Sequence, residues 1–140
     1  MVPRVPDWRE RLDAVVFRYG QHPFIWGEYD CGHWAADCVE ALTGADVLGT
    51  LRGCYDSRLG CYARLRHRGF RNATEAADGL LAKVGAARID PRAAIIGDLA
   101  ATPCHTMVVR LQGGFMGRGE HGEFRMLGAK DVRVAWSIGR

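Results

Sequence analysis

Asp30-Cys31-Gly32-His33-Trp34-Ala35-Ala36-Asp37-Cys38-Val39-Glu40-Ala41-Leu42-Thr43-Gly44 is the stretch on which the fold turns. Asp30 has the side chain of an N-cap, and Cys31, Trp34, Ala35, Cys38, Val39 and Leu42 then recur at the spacing of one helical face. Gly44 stands where a left-handed C-cap is wanted. The pattern predicts a helix with Cys31 in its first turn. Unpaired N–H groups and the macrodipole favour an anion there, so a thiolate nucleophile is chemically at home. The Asp30 carboxylate opposes that effect. Cys31 also lies on the apolar stripe, where a cysteine can serve as a small hydrophobe.

Working outward, Asp7-Trp8-Arg9-Glu10 has the form of a capping box, and Trp8, Leu12, Val15 and Tyr19 follow at helical spacing. A first helix from Asp7 to Tyr19, ended by Gly20, is predicted. Further helices are expected from Ser57 to His67 and from Thr74 to Val84, stopped by Gly69 and Gly85. After Pro91 the texture changes to short apolar runs divided by glycine-rich turns. Ala93 to Ala100, Thr106 to Leu111, Phe124 to Leu127 and Val132 to Ile138 read as antiparallel strands. Helices first and strands afterwards is the order of an α+β domain with helices packed on a sheet.

The chain has 140 residues, room for one domain spanning 1–140. Its composition, 48% hydrophobic and 25% charged, is that of a folded protein and excludes a disordered chain or a coiled coil. A net charge of +3 demands no polyanionic partner. The first residues mix acid and base and do not form a secretory signal, and no run is long and apolar enough for membrane insertion. Synthesis in a reducing cytoplasm is expected, where the five cysteines are thiols. Their odd number leaves at least one unpaired.

Phe24-Ile25-Trp26-Gly27-Glu28-Tyr29-Asp30-Cys31-Gly32-His33-Trp34 resembles the aromatic, Trp-Gly and Asp-Cys-Ser-Gly signature of the NlpC-type peptidases, a papain-like cysteine hydrolase family. Ile96-Gly97-Asp98-Leu99-Ala100 is similar to that family's Pro-Gly-Asp-Leu-Val strand, and His105-Thr106-Met107-Val108-Val109 to its His-Val-Gly-Ile-Tyr strand. Three short blocks between Trp8 and Phe115 carry the resemblance. A further run, from Asp30-Cys31 through Leu42-Thr43-Gly44-Ala45-Asp46 and Leu51-Arg52-Gly53-Cys54-Tyr55-Asp56-Ser57 to Gly60, is similar to a branch of small peptidase-like proteins. That branch belongs to the tail tips and baseplates of long-tailed phages and gene transfer agents.

The resemblance implies a papain-like fold and a peptidase that cleaves host peptidoglycan peptides during genome delivery, assembled into the tail of a virion or phage-like particle among other tail-tip or baseplate proteins. Cys31 would attack a peptide carbonyl, and His105 would take the thiol proton and return it to the leaving amine. The sequence departs from the family at two places. Gly117 stands twelve residues beyond His105, where a second histidine is usual, leaving Glu120 and His121 as candidates to orient the imidazole. Phe24 replaces an expected tyrosine and offers no hydroxyl to an oxyanion. A domain that kept the fold as an inactive adaptor or plug of the tail tip is the competing expectation. A bare 140-residue papain-like core leaves no room for a wall-anchoring module, so targeting would come from the assembly.

No cofactor is implied. Cys31 and Cys38, and likewise Cys54 and Cys61, are separated by six residues rather than the two to four that bring paired ligands to zinc, so no metal site is expected. Cys54 and Cys61 read as packing residues. His33 reads as part of the polar face of its helix, with Asp37 and Glu40. Between residues 52 and 71 stand Arg52, Arg58, Arg64, Arg66, Arg68 and Arg71 against Asp56 alone. Such a cluster could touch nucleic acid, a third and weaker expectation, since the stretch lacks the aromatic-interleaved strand or recognition helix that nucleic-acid binding uses. It suits solvent or an acidic patch on a neighbouring subunit.

Overall fold

The computed structural model describes residues 1–140, with four helices followed by a sheet. The helices are α1 (Trp8–Gly20), α2 (Cys31–Thr43), α3 (Arg58–His67) and α4 (Ala73–Leu81). Side-chain caps fix where three of them begin. Asp30 Oδ1 accepts the His33 N–H at 2.8 Å, Ser57 Oγ that of Gly60 at 3.0 Å, and Asn72 Oδ1 that of Glu75 at 2.9 Å. Each satisfies a donor that a first helical turn leaves open. α1 differs from expectation: Asp7 forms no side-chain cap, and its carboxylate takes Arg11 Nε at 3.0 Å instead. At the other end of α2, Gly44 adopts the left-handed conformation, with φ 79°, and its N–H reaches the Glu40 carbonyl.

Six strands follow: β1 (Ala87–Ile89), β2 (Leu99–Ala101), β3 (Met107–Leu111), β4 (Gly114–Arg118), β5 (Phe124–Leu127) and β6 (Val134–Ser137). They form one sheet in the order β1-β6-β2-β3-β4-β5, with every neighbouring pair antiparallel. The fold is therefore α+β. The run expected as a strand over 93–100 is mostly not one. Pro91–Ala93 is a 3-10 turn, Gly97 turns the chain at φ 98°, and only Leu99–Ala101 joins the sheet. β1 and β4 had no clear signal. β4 reads Gly-Phe-Met-Gly-Arg, poor in β-branched residues, and forms because β3 and β5 pair with it on both sides.

The two faces of the sheet bury different things. Leu99, Ala101, Met107, Val109, Trp136 and Ile138 pack with the helices in the main core, around Trp34, Val39, Leu42 and Tyr19. Ala100, Val108, Phe115 and Ala135 point the other way and are covered by Val132 with Ile89, Ala94, Leu127 and Ala129. The inner strands β2, β3 and β6 thus alternate between two apolar environments, the period-two pattern of a sheet covered on both sides, while the edge strands β1 and β5 are largely exposed. α2 is pinned to the sheet by Trp34 Nε1, which donates to the Met116 carbonyl at 3.0 Å.

Asp98 is fully buried and gathers both ends of the chain. Its carboxylate accepts Arg4 Nη2 at 3.2 Å, the Ile138 N–H at 3.0 Å and the Ile95 N–H at 2.9 Å, and it pairs with Arg140. The Gly97-Asp98-Leu99 block is therefore structural. It fixes the start of β2, and through β2 the turn that carries His105.

Candidate active site

Cys31 is the first residue of α2, directly after the cap. Four donors hold Asp30: the His33 N–H and His33 Nδ1 on Oδ1, at 2.8 and 2.9 Å, and the Gly27 N–H and Tyr55 hydroxyl on Oδ2, at 2.9 and 2.8 Å. Burial pushes this carboxyl upward, but the bonds from His33, its nearby ring and the Gly27 N–H outweigh burial and hold it below its ordinary 3.8. His33 is buried, contrary to the polar-face reading. Besides meeting Asp30, its Nε2 accepts the Gly53 N–H at 3.3 Å, so α2 is tied to the 53–57 strap. The physical reason is local: a capping carboxylate and the side chain three residues on share one side of the first turn.

The N–H groups of Cys31 and Gly32 have no carbonyl partner, as the first turn of a helix requires. They are donors available to a developing oxyanion. The Cys31 thiol faces the start of β3, where the Met107 N–H reaches the sulfur. Burial pushes this thiol up to about 12, reinforced by the charges of Asp30 and Cys61 and only partly opposed by the Met107 N–H. Cys31 therefore rests as a neutral thiol. Cys61, on α3, is pushed up to about 11 by burial, opposed by the nearby Tyr55 hydroxyl and helped by the charges of Asp30 and Cys54. All five cysteines are free, with Cys38 buried and Cys104 exposed. Cys54 and Cys61 are half-buried against the main core.

His105 lies two residues before β3 in a tight turn. Its N–H donates to the Thr102 carbonyl at 2.9 Å, and the Thr106 N–H donates to Thr102 Oγ1 at 3.1 Å. Its φ is 65°, the single positive value outside glycine. A residue without glycine's freedom in that region is costly and persists where its surroundings fix it. The ring meets α4, with Nδ1 at 2.8 Å from Thr74 Oγ1. No hydrogen bond joins His105 to Cys31.

Cys31 and His105 line one cleft of about 820 Å³, with Tyr55, Phe24, Trp26 and Glu120 also in its wall. Phe24 and Trp26 meet edge to face at 5.0 Å between ring centres, an aromatic lip above the start of α2. Phe24 brings no hydroxyl, but Tyr55 brings one from the strap to the same end of the helix. Tyr55 falls within the run from Asp30 to Gly60 that carries the resemblance, but no motif gave it a role, because its partner Asp30 is 25 residues away.

The two candidates for orienting His105 are placed differently. Glu120 shares the cleft, and continuing the Val108–Gly117 register by three residues would bring it opposite His105. The ladder stops short of that pair, because residues 119–122 turn between β4 and β5. His121 is exposed in the turn and does not line the cleft. Neither bonds the ring; Thr74 does. Gly117 pairs with Val108 and stands in the cleft wall without a side chain, and a Cβ there would stand 2.7 Å from Val108 Cγ1.

The arginine-rich stretch divides by partner. Arg52 binds Asp37 at 2.8 Å and Asp46 at 3.1 Å, and Arg71 binds Glu75. Arg58 lies over the Tyr62 ring, and it lines the cleft with Arg66. Arg118 is buried against the C-terminal end of α1, donating to the carbonyls of Tyr19 and His22, where a cation suits the helix dipole. No helix is long and apolar enough to cross a membrane. Nowhere do three or more His, Cys, Asp or Glu side chains gather in a way that could hold a metal ion.

Neither the curated proteins nor the solved structures contain a match to the chain. A family profile does match, over residues 3–138 and so across sheet, helices and cleft alike: the chain belongs to the family described as a domain of unknown function, DUF6950.

Proposed function

We propose that this protein is a papain-like, NlpC-type cysteine peptidase that cleaves peptide bonds of host peptidoglycan from the tip of a phage-type tail. One observation carries the enzymatic part: Cys31, at the N-terminus of α2, and His105, leading into β3, stand in the wall of a single cleft. The tail location is supported by the resemblance of the run from Asp30 to Gly60.

The geometry supports a general-base mechanism rather than a preformed ion pair, because burial keeps Cys31 protonated and no hydrogen bond links it to His105. With a peptide seated in the cleft, His105 Nε2 takes the thiol proton as sulfur bonds to the carbonyl carbon. The oxygen, now negative, is received by the N–H groups of Cys31 and Gly32, that of Cys31 turning to it from its own sulfur. The imidazolium then gives its proton to the leaving nitrogen as the C–N bond breaks, leaving a thioester. Water, deprotonated by the same imidazole, attacks the thioester and releases the acid and the thiol.

Incubating purified protein with peptidoglycan and separating the soluble products tests this. Release of new peptides by the protein and none by Cys31→Ala is the expected result. Absence of release from the unsubstituted protein, alone and in the assembled particle, sinks it. The second reading, an inactive adaptor with the same fold, is favoured by the lack of a carboxylate or amide behind His105.

A further inference from the structure

We infer that Thr74 is the positioning residue for His105, its hydroxyl oxygen accepting the Nδ1 proton so that the unprotonated Nε2 faces the cleft. The inference rests on reading His105 as a base. A base must present a bare nitrogen to the proton it removes, and in a neutral imidazole the other nitrogen then carries the hydrogen. Nδ1 is the nitrogen with a protein partner, at 2.8 Å from Thr74 Oγ1, while Nε2 has none.

The support is rigid on both sides of this bond. Thr74 is the second residue of α4, just beyond the Asn72 cap, and a β-branched side chain on a helix has few rotamers open to it. α4 is anchored by the buried Ala76, Ala77, Leu80 and Leu81. It is also anchored by Asp78, whose Oδ1 accepts Trp136 Nε1 from β6 at 2.9 Å. His105 is in turn held by the two hydrogen bonds of the Thr102 turn in a backbone conformation that an unconstrained histidine would leave. A strained residue held by its turn and a hydroxyl fixed on a packed helix leave the ring one orientation. The hydroxyl supplies direction without adding a negative charge behind the ring, unlike a carboxylate.

The test uses the full chain labelled with 15N in wild type, Thr74→Val and Thr74→Ser, with the His105 ring shifts reporting the tautomer and steady-state hydrolysis of peptidoglycan peptides reporting activity. The expected wild-type ring carries its proton on Nδ1. Val, close in shape but unable to accept, should give a mixture of tautomers and lower kcat about 10- to 100-fold with KM little changed, less than the roughly 10² to 10⁴ that a positioned general base contributes, because the base itself remains. Ser should restore both. A wild-type ring protonated on Nε2, or a Val variant with unaltered tautomer, overturns the inference. So does a Ser variant that behaves as Val. If the tautomer follows Thr74 but no peptide is released, the peptidase reading falls and the positioning stands. Hydrolysis that needs Cys31 yet ignores Thr74 has the opposite meaning.

Discussion

The Tyr55 hydroxyl donates to Asp30 Oδ2 at 2.8 Å and so closes the 53–57 strap onto the start of the helix that carries Cys31. The acceptor is a buried carboxylate, so the bond is charge-assisted and exceeds a neutral one in strength. Tyr55→Phe deletes the donor and keeps the ring, leaving Asp30 with three donors. A loss of about 1.5 to 3 kcal/mol is expected, the range for a hydrogen bond to a charged group. Urea unfolding should show a lower midpoint with an unchanged slope. A midpoint equal to wild type would mean that the strap is not held there.

The same carboxylate sets an acid limit on the fold. Its hydrogen bonds prevail over burial and hold the Asp30 pKa below the ordinary 3.8. A depressed folded-state value stabilises the protein above the unfolded pKa, and that stability is lost as pH falls through the folded one. The unfolding free energy should therefore decline below about pH 4. Asp30→Asn, which cannot titrate, should be less stable at neutral pH and show a shallower decline over the same interval. Parallel curves for the two proteins between pH 5 and 2 would assign the acid sensitivity elsewhere.

Gly27 and Gly44 separate two reasons for glycine. Both have positive φ, 86° and 79°, so alanine is strained at each. At Gly44 an added Cβ meets nothing within 4 Å, but at Gly27 it would stand 1.9 Å from the Tyr55 carbonyl oxygen. Gly44→Ala should cost about 1 to 2 kcal/mol, the conformational part alone. Gly27→Ala should cost at least about 3 kcal/mol more or fail to fold, because backbone must move. Equal losses would show that the strap yields easily to the substitution.

These relationships explain how far the sequence could be read. α2 and α3 were legible through their punctuation, Asp30 and Gly44 around the one and Ser57 at the start of the other, whereas α1 forms without the cap expected at Asp7, and α4 begins at Ala73 behind Asn72, one residue before the expected Thr74. The α+β order was legible through the same kind of punctuation. The bounds of β5 were legible, and those of β3 to within one residue, but β4 was not, since it is made by its neighbours rather than by its residues, and the run before Leu99 is shaped by the buried Asp98. Within the site, Cys31 stood out through helical phase and capping. Thr74 and Tyr55 did not, because each acquires its partner through the packing of another element: α4 brings Thr74 to a ring 31 residues away, and the strap brings Tyr55 to Asp30. Glu120 and His121 lie downstream of His105 along the chain, whereas the hydroxyl that meets its ring comes from upstream.

Cys31 itself gives the remaining test. Helix position alone suggests a thiol ionised easily, but burial, helped by Asp30 and Cys61, pushes it up to about 12 against an ordinary 9.0. The thiolate is the reacting form, so alkylation of Cys31 by iodoacetamide should be slow at pH 7 and still rising at pH 10. Peptide mapping follows the site directly, with the exposed Cys104 as a thiol of unhindered access in the same chain. His105→Asn should leave the Cys31 curve in place, because no hydrogen bond joins the two side chains in the resting protein. Hydrolysis, by contrast, should be abolished by that substitution, since the proton must leave when substrate is bound. A Cys31 rate that levels off below pH 8 in wild type and rises only at high pH in His105→Asn would establish a resting thiolate–imidazolium pair. The general-base mechanism would then be wrong in its first step.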